Sequence, residues 1–266
     1  MNAPSAHMAS RIDAANAPDF FPTAPWATRA LCELLLGLPP LENCPDWDLA
    51  TPPILPLPNY HGLTECLERD RPLSVWEPAC GEGHMALPLS EYFPSVFASD
   101  LFDRGFGPFH GPHWDFLGID PAAQHSPGTF DWIITNPPYR DYAQRFVERS
   151  FEHRPLKGIA VFVQLRWLET IDRTLELFLP HRPWMIGVFS ERVPLLKNRY
   201  DPDASTATAY IWVIWRTDIQ VEDTITRWIP PGQSKRLFRK RDLLLAKPEP
   251  KLLADGPLPL LDARPA

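Results

Sequence analysis

From Leu73 onward the chain alternates short apolar runs with longer amphipathic stretches. The runs predict strands over 73–77, 95–100, 130–136, 158–164, 184–190 and 208–215, with a further short strand near 113. Between them, apolar positions at helical spacing predict helices over about 83–92, 139–153 and 167–178. Strand and helix alternating at this spacing imply a mostly parallel sheet with helices on both faces. The run "TAYIWVIW" (208–215) is apolar throughout, as a strand covered on both faces must be. Upstream, "FFPTAPWATRALCELLLG" predicts a loop and then a helix from about Pro25 to Leu36, closed by Gly37. A shorter helix is expected around His61 to Arg69. Residues 1–18 lack an apolar period and read as a flexible terminus. The Pro-rich stretch 38–59 reads as an inserted surface loop within a domain spanning 19–220, and 221–266 as a C-terminal extension.

Composition narrows the class. With 44% hydrophobic and 12% aromatic residues the chain can form a globular core, and 33 prolines imply stiff connections around it. Apolar runs stay well short of the ~20 residues of a membrane span, and no signal peptide is expected. Cys32, Cys44, Cys66 and Cys80 show no Cys-x-x-Cys pairing, and the eight histidines show no metal-ligand spacing. The expectation is a cytoplasmic protein without a metal. A net charge of -7 weighs against a protein that coats nucleic acid, although "KRLFRKR" (235–241) is a local basic run.

The chemistry gathers at strand ends. The first strand runs into "VWEPACGEGHMA" (75–86), where Gly81-x-Gly83 lets backbone N–H groups approach a ligand at a helix start. A glycine pair alone is weak, since tight strand-to-helix turns need glycine anyway. Asp100 ends the second strand, and Asp115 in "HWDFL" stands where the next should end. Acids at consecutive strand ends of an open α/β sheet favour a nucleoside-bearing ligand. The fourth signal is "DWIITNPPYRDY" (131–142), in which two prolines stop a strand just after Asn136.

In order, "FFPT" (20–23), "EPACGEG" (77–83), "SDL" (99–101), "DFL" (115–117) and "NPPY" (136–139) resemble the motifs of S-adenosylmethionine-dependent amino-methyltransferases. The similarity is strongest to the DNA adenine-N6 methyltransferases of the small phage and mobile-element type. It extends through "LRWLE" (165–169) and 191–215, and implies a Rossmann-like class I methyltransferase with a seven-stranded sheet. The resemblance implies that Phe21, Pro22 and Thr23 meet the methionine end of the cofactor, with Glu77, Ala79, Gly81 and Gly83 beneath it. Asp100, followed by Leu101, would hold the ribose hydroxyls. Asp115 and Phe116 would read the adenine through a carboxylate and a backbone N–H. Asn136, Pro137, Pro138 and Tyr139 would hold the acceptor base, with Asn136 also bordering the cofactor. The 38–59 insertion and the lack of a large recognition domain after 216 depart from the family pattern.

An exocyclic amine is a poor nucleophile because its lone pair is delocalised into the ring. The Asn136 side-chain oxygen and the Pro137 carbonyl could accept its hydrogens, favour a tetrahedral nitrogen and stabilise the growing positive charge. Tyr139 offers a stacking face. The same tetrad serves enzymes that methylate protein glutamine or RNA bases; the upstream Phe-Pro-Thr element points to DNA, most simply the duplex. Lys197 and Arg199 precede the last strand near the catalytic edge and are candidate phosphate contacts. Lys235 and Arg236 read equally as a solvated helix face or a phosphate contact. Trp76, Trp132, Trp212 and Trp215 lie on strands and read as core.

Overall fold

The computed structural model of the chain describes residues 20–36, 73–106, 114–118, 128–139 and 142–246. The expected flexible terminus, the 38–59 insertion and the helix at 61–69 lie outside these residues. Seven strands form one sheet in the order β2-β1-β3-β4-β6-β5-β7. In chain order they are β1 (Ser74–Glu77), β2 (Ser95–Ala98), β3 (Trp132–Thr135), β4 (Gly158–Gln164), β5 (Met185–Phe189), β6 (Tyr210–Arg216) and β7 (Ile225–Ile229). Neighbours run parallel except at β6, which is antiparallel to both β4 and β5.

The pleat sorts the core into two layers. In β4 and β6, Ile159, Val161 and Val163 lie beside Trp215, Val213 and Ile211 on one face. Helix α3 (Tyr142–Glu152) covers that face with Ala143 and Val147. The alternate residues, Ala160 and Phe162 beside Ile214 and Trp212, face helix α1 (Pro25–Leu36). Residues buried on both sides of a strand explain the unbroken apolar run of β6. Each such Val, Ile or Phe contributes ~1.5–3 kcal/mol by leaving water. Trp76, Trp132, Trp212 and Trp215 are all buried as expected, whereas Trp228 of β7 is exposed. Trp212 donates from Nε1 to the Ala27 carbonyl at 3.1 Å, tying α1 to the sheet.

Two expected helices need correction, and the seventh strand is one the sequence did not suggest. It is β7; the short strand expected near 113 falls on 107–113, outside the described residues, and residues 114–118 form a turn. β7 escaped notice because it is an edge strand whose first four residues are exposed, so it carries no burial pattern. The helix expected over 83–92 shrinks to α2 (Ala86–Leu89). Pro88 cannot donate and sits in the first turn, and past Leu89 the bonds tighten, with Glu91 N–H donating to the Pro88 carbonyl and Tyr92 N–H to the Leu89 carbonyl. The helix expected over 167–178 divides into a 3-10 turn at Leu165–Leu168, a single α turn at Ile171–Arg173 and a π turn at Thr174–Phe178.

Beyond residue 220 the chain adds β7 to the sheet and then returns over α1. There Arg29, 1% exposed, binds Glu91 at 2.6 Å and Asp242 at 2.7 Å. Burial alone would lower its pKa, but the Asp242 and Glu91 carboxylates outweigh that and raise it. The guanidinium thus joins α1, the segment after α2 and the C-terminal turn Lys240–Leu245. No helix among the described residues is long and apolar enough to cross a membrane.

Candidate functional site

Ser99 N–H donates to the Glu77 carbonyl at 2.9 Å, and Cys80 N–H to the Ser99 carbonyl at 3.0 Å, so β2 straps the glycine turn after β1. Gly81 and Gly83 hold φ of +55° and +84°, which L side chains rarely adopt. Space forbids a side chain as well. A Cβ on Gly81 would lie 2.3 Å from the Phe20 ring, and one on Gly83 2.0 Å from Phe106.

Gly81 N–H donates to Asp100 Oδ2 at 2.8 Å and Phe102 N–H to Oδ1 at 2.9 Å, fixing the carboxylate at the mouth of the turn. Burial raises the Asp100 pKa, and these two N–H groups together with Arg104 oppose the rise. Glu77 is buried at the end of β1; desolvation, then the charge of Asp100, push it well above the usual carboxylate range. Its Oε2 has no hydrogen-bond partner among the described residues. A buried carboxylate oxygen left so is costly, which marks the place for a donor or cation from a ligand.

Asn136 follows β3 and reaches back to the segment before α1. Its Nδ2 donates to the Phe21 carbonyl at 2.8 Å and to Thr23 Oγ1 at 2.9 Å. A carbonyl can only accept, so the amide orientation is fixed and Oδ1 is turned away. Oδ1 is shielded from solvent and has no partner among the described residues. Tyr139 sets its ring edge-to-face with Phe21, centroids 4.8 Å apart.

On the other side, Asp115 and Phe116 sit in the turn 114–118, anchored by Trp114 N–H to the Asp100 carbonyl at 3.0 Å. Arg149 of α3 donates to the Leu117 carbonyl at 2.7 Å. The Phe116 ring packs against Trp76 and stacks on His153, whose pKa burial lowers to about 4. His153 therefore backs Phe116 as a neutral ring behind the cavity lining.

One cavity gathers Phe21, Pro22, Thr23, Glu77, Ala79, Asp100, Leu101, Asp115, Phe116, Asn136, Pro137, Pro138 and Tyr139. Gly81 and Gly83 build the turn beneath it without lining it. The sequence reading missed Phe20, Arg104 and Tyr142, which also line it. Spacing offered a signal for two of them: Arg104 lies four residues after Asp100, and Tyr142 opens the helix after Asn-Pro-Pro-Tyr. Among the described residues no group of His, Cys, Asp and Glu could hold a metal ion.

The expected nucleic-acid residues lie outside the cavity lining. The exposed Lys197 sits at the tip of a hairpin closed by the Leu196–Arg199 bridge. That tip docks at the site through Asn198 N–H, which donates to the Phe20 carbonyl at 2.8 Å. Lys235 is exposed, but Arg236 is engaged within the chain by Glu33 and Gln233. Arg241 of the same basic run pairs with Glu91.

No protein-family model matches the chain. No curated protein matches it either. Among solved structures, the methyltransferase subunit of a type I restriction-modification system from Streptococcus thermophilus is 12% identical with a TM-score of 0.52, covering 81% of this chain and 48% of that one. A modification subunit of a type I restriction enzyme from Vibrio vulnificus is 17% identical with a TM-score of 0.47, over 85% and 51% of the two chains. A class I S-adenosylmethionine-dependent methyltransferase from Listeria monocytogenes is 13% identical with a TM-score of 0.46, over 62% and 61%. The chain spans about half the length of the two restriction-system subunits. The fold is the Rossmann-like class I methyltransferase fold.

Proposed function

We propose that the chain is an S-adenosylmethionine-dependent methyltransferase acting on the exocyclic 6-amino group of adenine in double-stranded DNA. The observation that carries this reading is the oriented amide of Asn136, whose donors are held by Phe21 and Thr23 while Oδ1 stays buried and unpartnered. An acceptor kept in place before any ligand arrives is what polarising an amine requires.

The residues present fit the cofactor. Glu77 Oε2 offers a buried acceptor for a cationic amine, the two-point Asp100 carboxylate suits ribose hydroxyls, and Asp115 with Phe116 borders the place for the adenine ring. The bound cofactor supplies an electrophilic methyl group on a sulfonium. Asn136 Oδ1 and the Pro137 carbonyl accept the hydrogens of the target amine, free its lone pair and stabilise its positive charge. Pro137 and Pro138 fix that corner of the backbone. Tyr139, braced by Phe21, stacks on the extruded base for ~1–3 kcal/mol. The target must leave the duplex to reach the cavity. Lys197, Arg199 and Lys235 supply phosphate contacts, and Arg236 joins them only if its pair with Glu33 opens.

The Phe21-Pro22-Thr23 element, bonded directly to Asn136, favours DNA over RNA or a protein glutamine as acceptor. Duplex DNA, RNA and a glutamine-bearing protein are each incubated with methyl-labelled cofactor and their digests separated. Label in N6-methyladenine from DNA is expected; label confined to RNA or to glutamine would overturn the choice of acceptor.

A further inference from the structure

Among the described residues Arg104 is the only lysine or arginine that lines the cavity, where the formally charged acids are Glu77, Asp100 and Asp115. Its guanidinium lies over the Phe20 ring at 4.5 Å and near the Phe102 ring at 5.6 Å. It makes no hydrogen bond or ion pair with a described residue. Aromatic faces hold the plane of a guanidinium without using its edge. Arg104 therefore keeps a fork of N–H donors, fixed in orientation, inside an otherwise acidic pocket. Phe20, under Arg104, packs against Gly81 of the glycine turn, so the guanidinium stands beside that turn.

We infer that Arg104 holds the carboxylate at the methionine end of the cofactor, an inference that rests on the cofactor reading above. The ligand presents an amine, a sulfonium, two hydroxyls and a single carboxylate. The three acids suit the cations and hydroxyls and repel the carboxylate. Among the described lining residues Arg104 is the one lysine or arginine, and its fork matches a carboxylate in two-point geometry. Phe20 and Phe102 then act as positioning residues that present the fork.

The test is a cycle of two ligands and two proteins, read by calorimetric titration of the full chain. The ligands are S-adenosylmethionine and its decarboxylated analogue, which keeps the amine, the sulfonium and the nucleoside. Removing the carboxylate should weaken binding to the unaltered chain by about tenfold to a hundredfold, the range for a charge-assisted hydrogen bond. Arg104→Ala should weaken S-adenosylmethionine by the same factor and leave the analogue unchanged, so that the two losses do not add. Arg104→Lys should recover part of the loss, since it restores the charge without the fork. Should Arg104→Ala fail to fold, Arg104→Lys and the ligand ratio in the unaltered chain carry the test. Equal losses for both ligands, or a loss confined to DNA binding, would overturn the assignment. If the unaltered chain bound neither ligand, the cofactor reading itself would fall.

Discussion

The centre of the sheet and the cavity at its edge are built on opposite terms. In β4 and β6 seven residue pairs run in unbroken register, and both faces are covered by apolar side chains. A few residues away, Glu77 Oε2 and Asn136 Oδ1 are buried without partners, and Arg104 holds only aromatic faces. Buried polar atoms left in this state destabilise a fold unless something else completes them. The difference teaches where stability and function reside: the sheet provides rigidity, and the cavity leaves two buried acceptor oxygens, Glu77 Oε2 and Asn136 Oδ1, without a partner among the described residues.

The sharpest way to break that comparison is to damage each region and read both properties. Phe162, fully buried and stacked on Tyr210, belongs to the core. Phe162→Ala should cost about 3–5 kcal/mol of unfolding free energy in a denaturant titration, because it leaves a cavity. Asp100→Ala should act in reverse: cofactor binding by calorimetry weakens by ~1–3 kcal/mol while the unfolding midpoint moves little. If Asp100→Ala unfolded the protein instead, the carboxylate would be structural and the comparison false.

Glu77 sharpens the contrast further. Its folded pKa is raised above the ordinary 4.5, so the unliganded fold loses stability as pH rises from 4.5 through the folded value. Glu77→Gln should remove that dependence and gain about 1 kcal/mol in the unliganded chain, by relieving a desolvated charge. A cationic amine bound beside Glu77 favours the ionised form, so cofactor binding should release a proton and tighten as pH rises. The smallest effect belongs to the rim. Lys197→Ala should lower the slope of log affinity for DNA against log salt by about 1, without altering cofactor affinity.

The parts of this molecule that were legible in the sequence are those whose signal is local. Continuous apolar runs marked β1 to β6, and strand-end acids with Asn-Pro-Pro-Tyr marked the cavity. β7 was not legible, because Ile225 to Trp228 are exposed and an edge strand needs no apolar face. The divided helix at 165–178 was misread because Ile171, Leu175 and Leu179 keep helical spacing while pointing to solvent, at 78%, 59% and 61% exposure. Arg236 read as a surface cation because its partner Glu33 lies 203 positions away. Phe20 gains its role only from the fold, which sets its ring against Gly81 and beneath Arg104.

The central claim is that Asn136 Oδ1 is held as an acceptor for the target amine. Its most direct test is single-turnover methyl transfer to duplex DNA by Asn136→Ala, with cofactor affinity measured on the same preparation. The account predicts a rate at least about a hundredfold lower, as for loss of one preorganised hydrogen-bonding group, with cofactor affinity within about threefold of the unaltered chain. Transfer at the unaltered rate, or a rate loss that only follows lost cofactor binding, would contradict it.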